Sequence, residues 1–241
     1  MNYTLRITSL MTLLLIGITH MHAIDYRILD HDQLAPYAQT INLQRVAFYS
    51  EYPYLFVCEN APEDEYFQVY LESSQTLMVG AFDEQELVGF IIGMPLKDYN
   101  VLPCGAREGE LILARDTFKD IPVSFDDCYY MSEMCVVRDG YDRDAIANEL
   151  FKRFEKAVQT HTTGYGYLCM MILELLQNHP MRPIDPVQRW VEREGVHLAN
   201  NGYTHTDYTI VYEWPTLQQD GTVKMQKNPM NFWYKTIAAR E

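Results

Sequence analysis

The chemistry-bearing residues gather in one stretch, Tyr129 to Phe151. It reads Tyr-Tyr-Met-Ser-Glu-Met-Cys-Val-Val-Arg-Asp-Gly-Tyr-Asp-Arg-Asp-Ala-Ile-Ala-Asn-Glu-Leu-Phe. Its first half predicts a strand over Asp126–Val137, and its second half predicts a helix over Arg143–Thr160. That helix carries Ile146, Leu150 and Phe154 at i, i+4 and i+8, flanked by Ala147, Phe151 and Val158, with Asp142 as a plausible N-cap. A strand that reaches a helix N-terminus through a tight loop presents unpaired amide N–H groups backed by the helix dipole. Such a site suits a pyrophosphate. The alternative at this point is a capped helix with no ligand. Further along, His179 stands before Pro180 at the end of a strand-like run, where it can touch a substrate or serve the structure. Arg182 can hold a substrate carboxylate or an internal acidic residue.

The elements around this stretch alternate in kind. Tyr26–Leu29 reads as a strand, Gln33–Tyr49 as a helix with Leu34, Ala38, Ile41 and Val46 inward, and Glu63–Leu71 as a second helix. Thr76–Phe82 and Leu87–Pro95 read as a hairpin across Asp83-Glu84-Gln85-Glu86, a turn without glycine. Residues 97–127 read as an insertion with a short helix near Glu108–Phe118. Tyr165–Ile172 is a buried strand, Pro186–Glu194 a helix stopped by Gly195, and Thr206–Trp214 and Val223–Trp233 are β-rich. No repeat or linker divides residues 24–241, so one α/β domain is expected, a mixed sheet with helices on both faces.

Composition narrows the function. Asp and Glu number 33 against 19 Lys and Arg, a formal net charge of −14. That field repels nucleic acid and attracts a cationic substrate such as an amine, although it also serves plain solubility. The five cysteines, Cys58, Cys104, Cys128, Cys135 and Cys169, form no C-x-x-C pair, so zinc and redox-motif readings fail on spacing and no metal is expected. Cys135 and Cys169 lie in apolar runs, where a buried free thiol is the default.

The strand–loop–helix unit resembles that of the GNAT superfamily of N-acetyltransferases. The likeness extends to Phe48-Tyr-Ser-Glu-Tyr-Pro-Tyr-Leu55, the Val79–Leu96 hairpin, Cys169, His179-Pro-Met-Arg-Pro183, Trp190–Val196, Tyr212-Glu-Trp214 and Lys224–Trp233. These stretches look like one bacterial branch of the superfamily, with the His-Pro-x-Arg-Pro and Asn-Phe-Trp signatures as its more specific part. The resemblance implies an acyl-CoA N-acyltransferase fold that moves an acetyl group from acetyl-CoA, as co-substrate, to a small-molecule or peptide amine. A homodimer is compatible with it. A catalytically degenerate protein that keeps the fold and binds a CoA-like ligand or a protein partner is the alternative.

The same resemblance assigns roles. The pyrophosphate loop falls on Asp142, Arg143, Asp144, Ala145, Ile146 and Ala147. The carboxylates of Asp142 and Asp144 and the Ala145 methyl depart there from the usual Gln/Arg-x-x-Gly-x-Gly/Ala. The main chain around Met134, Cys135, Val136 and Val137 is implied to bind the pantetheine amides and the thioester oxygen, between strands that splay apart. Glu133 is the implied base, and a backbone or solvent-facing role is its equal rival. The helix that usually carries a Tyr acid has Trp190 and Val191 instead, which leaves thiolate protonation to water, Tyr203 or His179. Tyr49, Tyr52, Tyr54, Tyr66 and Tyr70 fall where such proteins form the acceptor pocket, though core packing accounts for most such rings.

Residues 1–23 are set apart as a leader. Arg6, the apolar run Leu10–Ile18 and Ala23 fit a signal peptide too short for a comfortable membrane span. An overextended start, with Met21 the true first residue and a cytoplasmic product, is the rival, and an uncleaved anchor is a third reading. Export conflicts with a cytosolic acyl donor unless the protein enters another cell's cytoplasm.

Overall fold

The computed structural model describes residues 23–57, 63–99, 115–119, 121–137, 140–174, 180–184 and 198–237. Residues 1–22 of the leader, the region around Glu108, His179 and the helix expected at Pro186–Glu194 lie outside the described residues.

Strand β1 (Asp25–Asp30) is followed by α1 (His31–Leu34), a 3-10 turn (Ala35–Tyr37) and α2 (Ala38–Tyr49). The single helix expected over Gln33–Tyr49 is therefore interrupted. Pro36 has no N–H for an i→i−4 bond, and the backbone tightens around it. The start is pinned at Asp30, whose N–H donates to Gln33 Oε1 at 3.1 Å. Helix α3 (Glu63–Glu72) leads into the hairpin β2 (Leu77–Asp83) and β3 (Glu86–Pro95). Its turn manages without glycine because Glu84 adopts φ +55°, and the Glu84 carbonyl accepts from Arg27 Nη2 at 2.9 Å. Arg115–Phe118 is a 3-10 turn.

Next come β4 (Cys128–Val136), α4 (Arg143–His161), β5 (Tyr167–Leu173), β6 (Thr204–Leu217) and β7 (Val223–Thr236). Among the described residues these strands form one seven-stranded sheet in the order β1-β2-β3-β4-β5-β7-β6. Only the β4–β5 pairing is parallel. Strands β2 and β3 are almost continuously apolar because both of their faces are covered. Leu150, Phe154, Ala157 and Val158 of α4 pack with Val79, Val88, Ile91 and Leu168 on one face. On the other face, Leu34, Ile41, Phe67 and Tyr70 pack with Phe90, Ile92 and Met94.

Candidate active site

Strands β4 and β5 run side by side only through Cys128↔Tyr167, Tyr129↔Leu168 and Tyr130↔Cys169. Beyond that point β4 follows β3 to Val136↔Gly89, while β5 follows β7 to Leu173↔Met230. The two parallel strands thus part company, and among the described residues the rest of the β4 edge has no strand partner, which leaves an opening there. The Val137 N–H donates to Val88 O at 2.9 Å, toward β3. Backbone groups alternate along a strand, so those of Cys135 also turn to β3 and those of Met134 and Val136 turn to the opening. The four positions expected to bind pantetheine divide equally between the two edges.

A bulge sets the side chains of this strand. Ile92 pairs with Glu133 and Gly93 with Met131, which leaves Ser132 as the extra residue on β4. The Ser132 hydroxyl donates to Ile92 O at 3.1 Å and accepts from Tyr70 OH at 2.8 Å. After the bulge, Glu133 joins Ser132 on the face covered by α2 and α3. There its carboxylate is buried and accepts from Arg45 Nε at 2.5 Å. The sequence offered one signal for Arg45, a cation four residues from Ile41 and three from Phe48 on the inward stripe of a helix. The Cys135 thiol, on the same face, is raised well above its ordinary value of 9.0, by burial first and then by the Glu133 charge.

At the end of the loop, Asp142 caps α4. Its Oδ1 accepts from Ala145 N at 3.1 Å, and its carbonyl accepts from Ile146 N at 3.0 Å. The Ala145 amide in the expected pyrophosphate loop therefore already serves an internal carboxylate. Ile146 is buried toward Gly89, where an added Cβ would stand 3.4 Å from its Cγ2 and 3.2 Å from the Cys135 carbonyl oxygen. Ala147 also packs against that core, and Asp144 lies exposed in the first helical turn. Arg143 turns back from the helix. Its Nη2 donates to Val136 O at 2.9 Å, its Nη1 lies 3.5 Å from Glu51 Oε2, and its guanidinium stands 5.8 Å from the Phe48 ring centre. Arg138 and Asp139 fall outside the described residues; Gly140 has φ +84°, and Tyr141 ties the loop to the β2–β3 turn by donating to Asp83 Oδ2 at 2.9 Å.

Of the aromatic residues expected on the acceptor side, Tyr49 and Tyr54 meet, while Tyr70 packs against Phe67 and donates to Ser132 Oγ. Tyr49 lies edge-on to Tyr54 at 4.8 Å and to Phe48 at 5.1 Å, and Tyr54 stands 6.4 Å from Trp214. The segment after α2 is laced to β6 through Val57 N to Pro215 O and Leu217 N to Leu55 O, both 2.9 Å. Trp214 Nε1 adds a bond to Tyr54 O at 3.1 Å. Tyr52 is buried, whereas nothing is described of the Tyr66 side chain. Tyr203 goes elsewhere. It packs on Phe151 of α4, 5.6 Å between ring centres, on the face of the sheet opposite Glu133. Its phenol is raised by burial and by Glu155, twelve residues along α4 from Arg143, about 18 Å at a helical rise of 1.5 Å per residue. The structure therefore groups Glu133, Met134, Val136 and Arg143 and does not bring Tyr203 to them. Cys128, Cys135 and Cys169 are buried free thiols. Among the described residues no group of three or more His, Cys, Asp or Glu is placed to hold a metal, and no helix is long and apolar enough to cross a membrane.

No protein-family model and no curated protein matches the sequence. Solved structures do match. The structure of yncA from Salmonella typhimurium with its cofactor acetyl-CoA superposes with a TM-score of 0.51 at 10% identity, over 91% of this chain and 96% of that one. An aminoglycoside 6'-N-acetyltransferase from Enterococcus faecium superposes at 0.47 with 16% identity, over 89% of this chain and 99% of that one. The paia N-acetyltransferase from Thermoplasma acidophilum with coenzyme A gives 0.45 with 13% identity, over 89% and 99%. The likeness to the Salmonella typhimurium structure, with the mixed seven-stranded sheet, defines the fold. It is the GNAT-type α/β fold of acyl-CoA N-acyltransferases.

Proposed function

We propose that this chain is an acetyl-CoA-dependent N-acetyltransferase of the GNAT superfamily, acting on a primary amine. One observation carries the reading: β4 and β5 separate after Tyr130↔Cys169, and the chain passes from the end of β4 at Val136 to the start of the long helix α4 at Arg143. Acetyl-CoA, when bound, would supply an activated acyl group: an amine attacks its carbonyl directly, the C–S bond breaks and CoA leaves as a thiolate that takes a proton from water, so no Ser or Cys nucleophile is needed. The open edge at Met134 and Val136 binds the pantetheine amides. A backbone N–H there would be placed to meet the thioester oxygen and stabilise the negative charge that develops on it, by about 3 kcal/mol. Glu133 takes the proton the amine gives up, directly or through water, and Arg45 fixes the direction of its carboxylate. Arg143 and the start of α4 hold the diphosphate. The aromatic wall of Tyr49, Tyr54 and Trp214 forms the acceptor side.

A second reading has its own observation. Asp142 occupies the Ala145 amide and Arg143 occupies the Val136 carbonyl, so two parts of the ligand-binding edge already have internal partners. A chain that binds a CoA-like molecule weakly and catalyses nothing fits those contacts. Titration calorimetry of acetyl-CoA into the full chain, followed by a free-thiol assay with a panel of amines, separates the two. Micromolar binding with CoA release is the expected outcome. Binding without release from any amine favours the second reading, and no binding at millimolar acetyl-CoA overturns both.

A further inference from the structure

We propose that Glu51 is a positioning residue for the acyl donor: it draws Arg143 across the end of the β4–β5 opening, and the anionic end of acetyl-CoA takes over that guanidinium on binding. The inference rests on the acetyl-CoA reading above. Arg143 is the first residue of α4, yet its side chain is nearly buried, 12% exposed, because it folds back toward β4 and α2. It donates to Val136 O, a backbone group that faces the opening. The guanidinium therefore sits on the strand edge that a pantetheine chain needs. Its other arm reaches Glu51 at 3.5 Å, while the Phe48 ring supports its plane.

The two ends of this contact belong to different halves of the site. Arg143 opens the helix that faces the diphosphate. Glu51 lies between α2 and Tyr52–Tyr54, the segment whose Tyr54 ring packs on Tyr49 and Trp214. A diphosphate carries more charge than one carboxylate and offers paired oxygens to the guanidinium fork, so it outcompetes Glu51 once it is in place. Breaking the Glu51 contact opposes donor binding, and making the diphosphate contact removes an anchor from the acceptor-side segment. Donor occupancy is thereby linked to the freedom of residues on the acceptor side.

The test is a double-mutant cycle read by acetyl-CoA titration of four full-length proteins: wild type, Glu51→Gln, Arg143→Gln and the double variant. The expected result is that Glu51→Gln tightens acetyl-CoA about two- to fivefold, near the coupling of a partly exposed ion pair, and has no effect when Arg143 is already Gln. Equal tightening in both backgrounds would mean only that one negative charge has been removed from an acidic protein, and would overturn the proposal. So would an unchanged or weaker affinity for Glu51→Gln while the wild type binds. If none of the four proteins binds acetyl-CoA, the donor assignment itself fails, and this inference falls with it.

Discussion

Helix α4 meets its face of the sheet through Leu150, Phe154, Ala157 and Val158, all fully buried among Val79, Val88, Ile91 and Leu168. Helices α2 and α3 meet the opposite face through Ile41, Phe67 and Tyr70, and that face also encloses Glu133, Arg45, Asn42, Ser132 and the Cys135 and Cys169 thiols. The first contact is close-packed hydrocarbon, whose stability follows the area removed from water. The second buries groups that need partners, and it keeps them in order by a bulge, a hydroxyl relay and an ion pair. Strand β4 serves both faces. Tyr129 and Met131 go to α4, and after the bulge the polar side chains gather against α2 and α3. The lesson is that a sheet can pack one face as hydrocarbon and enclose partnered polar groups on the other, with one extra residue deciding which side chain crosses over.

The largest expected effect comes from alkali: buried phenols on both faces share in it, and the buried Cys135 and Cys169 thiols of the α2–α3 face set where it begins. Burial raises the Cys135 and Cys169 thiols well above 9.0, and it raises the Tyr70 and Tyr130 phenols well above 10.0. Below those ordinary values both folded and unfolded chains hold the protons, and the full stability is present. As pH rises past 9 and then 10, the unfolded chain releases protons that the folded chain keeps, so stability falls. Each fully buried group contributes a slope of about 1.4 kcal/mol per pH unit. Urea unfolding at pH 8, 9.5 and 11 measures this. Replacing Cys135 and Cys169 with Ala should remove the part of the decline that begins near pH 9. An unchanged profile would mean that the thiols enclosed by α2 and α3 do not set the onset of the decline.

Next in size is the ion pair. Arg45→Met leaves the buried Glu133 carboxylate without its guanidinium and should destabilise the protein by about 3–5 kcal/mol. Adding Glu133→Leu should restore most of that loss, because two apolar side chains of similar volume need no partner. Urea midpoints for the single and double variants give the comparison. If the double variant is no better than Arg45→Met, the face depends on shape as the α4 face does, and the contrast between the two is lost.

Legibility followed the same division. The α4 face could be read from periodicity, since Ile146, Leu150 and Phe154 recur at four-residue spacing and all three are buried. The β2–β3 hairpin was also visible, although its turn depends on a left-handed Glu84 that no turn rule favours. The break at Pro36 was legible in principle, and the apolar spacing of Leu34, Ala38 and Ile41 masked it. On the other face, Glu133 could be singled out only by resemblance. Its partner Arg45 lies 88 residues away, and no local pattern joins them. The bulge was invisible as well, because Tyr129–Val136 alternates poorly and Ser132 looks like an ordinary strand residue. Tyr203, weighed as an acid, packs on Phe151 of α4 just before β6 begins, on the face opposite Glu133.

The smallest effect lies where the two faces meet, at the start of α4. Asp142→Ala removes the cap on Ala145 N and should lower stability by about 1 kcal/mol, measured by thermal unfolding. The same change returns an amide N–H to the helix end and removes a carboxylate from beside the expected diphosphate. A charge within about 5 Å of a phosphate in water is worth on the order of 1 kcal/mol, so acetyl-CoA should bind several-fold tighter to the variant. Stability and binding would then move in opposite directions through one side chain, which is the behaviour expected of an internal group that occupies a ligand's place. If stability falls and affinity does not change, Asp142 is a helix cap and nothing more. The diphosphate must then depend on Arg143, and the hydrocarbon face ends at the first turn of α4 without contributing to the site.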